Sequence, residues 1–292
     1  MQTLTTDCVL YEKAILGEGP VWREETQDLI WVDIESARVC IFNPTSGENQ
    51  TWDVGEKPGF AVPTQRGDLI LGTSVGFVRL DLASGVLSPI IDPEQDLPNN
   101  RFNDGKVDPE GRLWAGTMDM DELPNAGSFY KLNRNLSVDK LFDQISISNG
   151  LAWTPDQKFF YYIDSPTRRV DVFDCDMTIG TVANRRISFE LPDGMGYPDG
   201  MCIDNEGMLW VALWQGWGVA RFAPDGTILA KVEVPVECVT SCCFGGENWD
   251  ELYITTSSRD LDDAGRVAQP LAGGLFRCQT GVGGPPTNLF LG

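Results

Sequence analysis

The chain has 292 residues, 42% of them hydrophobic and 10% aromatic, enough for a large buried core. Its 43 acidic and 22 basic residues leave a formal net charge of −21, a surface that repels phosphate backbones and anionic lipid, so neither nucleic-acid nor membrane partners are expected. Histidine is absent, which excludes Ser-His-Asp and Cys-His catalysis and removes the commonest zinc and copper ligand.

From the N-terminus, MQTLTTDCVLYEKAILGEGP shows no basic stretch leading into an apolar run, so no secretory signal is read and a cytoplasmic location is expected. Eight cysteines then read as reduced, core-filling thiols, and the adjacent Cys242 and Cys243 should face opposite sides of a strand. No apolar run approaches the roughly 18–20 residues that a membrane helix needs. Asp7–Tyr11 reads as a strand, expected to pair with the last repeat and close a ring.

One pattern then recurs six times: a short segment, a polar turn and an apolar strand. The copies are GPVW with DLIWVDI, GFAVP with DLILGTS, DGKVD with RLWAGTM, GLAWT with KFFYYID, GMCID with MLWVALW, and SCCFG with ELYITTS. Each runs on into a further short strand and turn, and no stretch has helical periodicity. The positions just before each first segment are Glu18, Pro58, Asn103, Asn149, Asp199 and Thr240, spaced 40 to 50 residues apart. That spacing fits four-stranded blades and predicts one all-β domain over residues 1–292, a six-bladed β-propeller around a central metal-binding channel. The rungs of a β-solenoid would be shorter.

In a propeller the innermost strand of each blade lines the channel, so equivalent positions form a ring. Four of the six carry Glu18, Asn103, Asn149 and Asp199. Asn and Asp before Gly are also ordinary turn formers. Glu18 is not, yet it holds the same position before Gly19. Massed carboxylate and amide oxygens are costly unless a cation neutralises them, and an oxygen-only set suits Ca²⁺, Mg²⁺ or Mn²⁺. Arg101 precedes Asn103 by two residues and is placed to meet hydroxyl and carbonyl oxygens of a small ligand. Asp104 is placed to brace the turn behind the ligands. The polar insertion Asp119–Gly127 has the character of a lid, and Trp214 and Trp217 offer faces for stacking.

GEGPVW, NNRFNDGKVDP, GRLWAGTM, ISNGLAW, FYYIDS, PDGMCID, TSCCFGG and AGGLF resemble motifs of the regucalcin/gluconolactonase (senescence marker protein) family, over Cys8 to Phe276. The resemblance implies a propeller that hydrolyses sugar lactones with one divalent cation, whether Ca²⁺, Mn²⁺, Mg²⁺ or Zn²⁺. It implies metal ligands at Glu18, Asn149 and Asp199, and substrate contacts at Arg101, Asn103 and Asp121. Animal members commonly carry Glu at this last position. In such a site Asp199 is the expected general base, since one oxygen can bind metal while the other takes a proton from water. The alternative from another class is a non-catalytic calcium-binding regulator. An interaction propeller of the WD-repeat kind lacks its G-H…W-D signatures here.

Overall fold

The computed structural model describes residues 2–292. Six sheets follow one another along the chain, and their inner strands are Gly17–Arg23, Phe60–Pro63, Asn100–Val107, Ser148–Trp153, Tyr197–Ile203 and Val239–Gly245. Each of the first four blades is a four-stranded antiparallel meander running outward from that strand. The result is the expected six-bladed propeller.

The inner strands of each blade form because their residues are buried on both faces, which favours continuous apolar runs over polar alternation, whereas outer strands such as Asn49–Asp53 and Leu87–Ile91 are largely exposed. In Asp28–Asp33 every residue is buried. Ile30 and Val32 enter a cluster with Ala61, Leu69 and Leu71 of the second blade, while Leu29 and Trp31 pack with Tyr253 and Leu275 of the sixth. A period of two thus sends alternate side chains to the two neighbouring blades. The same rule divides Cys242, packed toward the fifth blade, from Cys243, packed toward the first. The apolar core therefore consists of layers between blades. All cysteines are free thiols.

Two hairpin turns show how sequence fixes the blades. In VDPEGRLW, Asp108 accepts hydrogen bonds from the Glu110 and Arg112 amides and from Trp114 Nε1, at 2.9, 2.9 and 2.7 Å. In IDNEGMLW, Asp204 repeats the arrangement with the Glu206 and Met208 amides and Trp210 Nε1, at 2.9 Å each. Both are Asx turns in which a buried indole satisfies the remaining carboxylate oxygen.

Closure uses the N-terminal segment. Asp7–Leu10 pairs antiparallel with Leu275–Gln279 as the outer strand of the sixth blade. Gln2–Thr5, not expected as a strand, lies parallel to Ile228–Glu233 and gives the fifth blade a fifth strand. At the far end of the channel, residues 283–291 cross from the fifth and sixth blades to the second and third. They are held by Asn205 N to Gly283 O at 2.8 Å, Asn288 Nδ2 to Val107 O at 3.1 Å and Phe290 N to Pro63 O at 3.0 Å. The one α-helix among the described residues is Asp263–Ala268, capped by Asp262. Six residues are too few to register as an apolar period. No helix among the described residues is long and apolar enough to cross a membrane.

Candidate functional site

A cavity of about 460 Å³ opens at the channel mouth, and Glu18, Arg101, Asn103, Asn149 and Asp199 line it together. All five side chains are buried. Backbone bulges place them. The ladder between inner and second strands slips between Glu18 and Val21, Phe102 and Asp104, Asn149 and Leu151, Pro198 and Met201, and Val239 and Ser241. Thus the repeat position lies in or beside a bulge in five blades. The unpaired residue of a bulge bends its strand and re-aims the side chains in and beside it, those of Glu18, Asn103, Asn149 and Asp199 toward the cavity. Glycine after the acid makes room: Gly19 has φ +53°, and a Cβ on Gly200 would lie 2.1 Å from Ser241 Oγ.

Each acid accepts a hydrogen bond from the amide of the glycine that follows it. Gly19 N lies 2.8 Å from Glu18 Oε2 and Gly105 N lies 2.7 Å from Asp104 Oδ1, and Gly200 N serves Asp199. These bonds do not offset burial. Desolvation, and then the Asp104 charge, push Glu18 up to about 8. Desolvation raises Asp104 to about 6. Asp199 is raised well above the ordinary carboxylate range by desolvation and then by the charges of Glu18 and Asp104. Burial lowers Arg101 to about 10, so it stays charged at neutral pH.

A chain of hydrogen bonds orients the amides. Arg101 Nη1 donates to Asn103 Oδ1 at 2.6 Å, and Asn103 Nδ2 donates to Asn149 Oδ1 at 3.0 Å and to Ser148 O at 2.7 Å. Asn149 Nδ2 donates to Ser165 Oγ at 2.8 Å, and Ser165 Oγ in turn donates to Pro198 O at 2.6 Å. Asn149 Oδ1 accepts that one bond from Asn103 Nδ2 and keeps a second lone pair for a cation. At the sixth ring position Thr240 Oγ1 donates to Gly17 O at 2.6 Å, a structural bond between the sixth and first blades.

The donor set fits a hard divalent cation. Glu18 and Asp199 are buried and face each other's charge, yet neither forms an ion pair with any described residue. Carboxylates in that position stabilise a bound cation and are stabilised by it. Among the described residues no three His, Cys, Asp or Glu side chains gather into a metal-binding group, so a cation beside Glu18 and Asp199 would need neutral oxygens as well, and the Asn149 amide lines the same cavity.

Asp121, expected as a substrate contact, does not line the cavity. It is exposed, and its carboxylate accepts from Asn99 Nδ2 at 3.0 Å. The next residue, Glu122, has φ 59° and turns into the cavity. Trp214 lines the cavity and also packs on the cluster holding Leu16 and Ile34, whereas Trp217 lies beside the N-terminal strand. Ser165, Tyr197, Glu122 and Arg259 also line the cavity and are not among the residues expected above. Ser165 carries a weak sequence signal as the residue ending FYYIDS, but the others depend on loop paths.

Fold and site together define a six-bladed propeller with an acid–amide ring suited to a cation at one channel mouth. The SMP-30/Gluconolactonase/LRE-like region matches residues 16–258, and the chain belongs to that family. It is 42% identical to regucalcin of Sus scrofa over 97% of this chain and 96% of the relative, and 41% identical to regucalcin of Gallus gallus over the whole of both. A solved structure from Agrobacterium tumefaciens, described as a calcium-binding protein, regucalcin, is 28% identical, covers 99% of each chain and superposes with a TM-score of 0.94.

Proposed function

We propose that this protein is a metal-dependent hydrolase that opens sugar lactones to their aldonic acids, working in the cytoplasm. The observation that carries the reading is the sharing of one cavity by two unpaired buried carboxylates and the Arg101–Asn103 pair. A pure cation site needs no guanidinium beside it. A lactone does, because its carbonyl, ring oxygen and hydroxyls are neutral acceptors and donors.

Hydrolysis joins a water oxygen to the carbonyl carbon, breaks the acyl–oxygen bond and returns a proton to the departing ring oxygen. A cation held by Glu18, Asn149 and Asp199 supplies Lewis-acid polarisation of the carbonyl when bound. In this reading Asp199 takes the proton from the attacking water and returns it to the ring oxygen. Arg101 commits Nη1 to Phe102 O and Asn103 Oδ1, which fixes the guanidinium plane and leaves its other N–H groups for lactone oxygens. Trp214 offers an apolar face to the C–H side of the sugar.

The competing reading is a non-catalytic calcium-binding regulator, in line with the description of the Agrobacterium tumefaciens relative. Acid release from a panel of five- and six-carbon sugar lactones, before and after chelation, separates the two. Chelator-sensitive release is the expected result. Cation binding without release of acid from any lactone would leave the regulator.

A further inference from the structure

One ion pair spans the mouth of the cavity. Arg259 Nη2 lies 3.0 Å from Glu122 Oε1, and both residues line the cavity above Arg101 and the acid ring. Glu122 comes from the insertion in the third blade and Arg259 from the loop after the central strand of the sixth, Glu251–Thr256. In a ring of six these blades stand opposite each other, so the contact crosses the opening and does not run along its rim.

The bases of both loops are fixed. Asn99 Nδ2 holds Asp119 and Asp121 at 3.0 Å each, and Asn125 N bonds Ser146 Oγ at 3.2 Å. On the other side Ser257 Oγ and Ser258 Oγ bond Ile15 O and Ala14 O, each at 2.9 Å. The backbones at the tips are held as well, Glu122 N to Asp119 O and Arg259 N to Ser257 Oγ at 3.0 Å each, so what can part is the half-exposed side-chain ion pair that joins the two loops. A pair of this exposure is easily broken.

We infer that the Glu122–Arg259 pair is a latch across the mouth that limits the width of the substrate admitted, and thereby sets selectivity among lactones. The inference rests on the lactonase reading. Small lactones pass beside the latch; those with bulky substituents have to break it.

The test compares kcat/KM for a small unsubstituted γ-lactone with that for a sugar lactone bearing a bulky O-alkyl group, using the cation-loaded protein. Glu122→Gln and Arg259→Gln should each raise the bulky-to-small ratio by about two- to fivefold, the range an exposed pair can supply. Salt of roughly 1 M, where the Debye length is about 3 Å, should raise the wild-type ratio and leave the variants' ratio alone. The charge-reversed double variant E122R/R259E should return the ratio toward wild type, which a merely structural role would not do. An unchanged ratio in the single variants, or no restoration in the double, overturns the latch. If the wild type turns over no lactone, the lactonase reading fails and the latch is judged by calorimetric binding of a small sugar alcohol and its bulky O-alkyl derivative. Glu122→Gln must then favour the bulky polyol relative to wild type, and equal discrimination in both proteins overturns it.

Discussion

Asp199 and Glu18 are both buried carboxylates in one ring, but the proposed chemistry gives them different work. Asp199→Asn keeps an oxygen donor and nearly the same shape, yet it cannot accept a proton. At saturating cation it should lose the general-base contribution, about 10²–10⁴-fold in kcat, while Glu18→Gln removes the same charge and loses far less. Equal losses would reduce Asp199 to a ligand. The raised carboxylates also set a pH dependence. With Glu18 at about 8 and Asp104 at about 6, the cation-free folded protein binds more protons than the unfolded chain over this range. The contribution of these two carboxyls to stability is therefore fully present below about pH 4 and is lost as pH rises through 8. The melting temperature of chelated protein should fall from pH 5 to pH 8, and saturating cation should flatten that fall. A flat or rising profile without cation would refute the assigned environment.

At the level of elements, the blades and the ring positions were legible in the sequence because burial on both faces leaves unbroken apolar strands at a regular spacing. The residue before each inner segment pointed to Glu18, Asn103, Asn149 and Asp199 for the same reason, and the family resemblance alone divided them into expected ligands and an expected substrate contact. The bulges beneath them were not legible, since a ladder slip depends on the partner strand. Nor was it legible that Asp121 lies outside the cavity while Glu122 lines it. The bond from Asn99 that draws Asp121 aside crosses 22 residues, and the left-handed backbone at Glu122 is not encoded by glycine. The helix at 263–268 went unread because it is stabilised by the Asp262 cap and lacks an apolar stripe. Packing of blade on blade sets the ring, so Gly200→Ala is a direct probe. Its Cβ would meet Ser241 Oγ at 2.1 Å and Ser241 Cα at 2.8 Å, an overpacking cost of about 1–3 kcal/mol. Both melting temperature and cation affinity should drop, whereas Gly207→Ala, in an open turn with φ +80°, should lower only the former. Unaltered cation affinity in Gly200→Ala would separate the ring from blade packing.

At the scale of the whole molecule, the propeller is a closed ring of interblade layers whose last join is made by the N-terminal strands. Removing residues 2–11 would expose the edges of Leu275–Gln279 and Ile228–Glu233 together. A lower melting temperature and concentration-dependent light scattering are expected, because unpaired edges template association. A shortened chain that melts and scatters like the full one would show that closure lies elsewhere. Ring closure matters because the proposed ligands Glu18, Asn149 and Asp199 come from the first, fourth and fifth blades, so a cation bound by them would depend on all the joins between those blades.

The central claim is that Glu18, Asn149 and Asp199 hold the one cation on which lactone hydrolysis depends. Stepwise addition of Mn²⁺ to exhaustively chelated protein, with bound metal and sugar-lactone turnover followed in the same samples, tests it most directly. Turnover should be absent at the start and rise with bound metal to a plateau at one equivalent per chain, and Asn149→Ala should move both curves together to higher metal concentration. Full turnover in the chelated protein, or turnover that rises independently of bound metal, would contradict it.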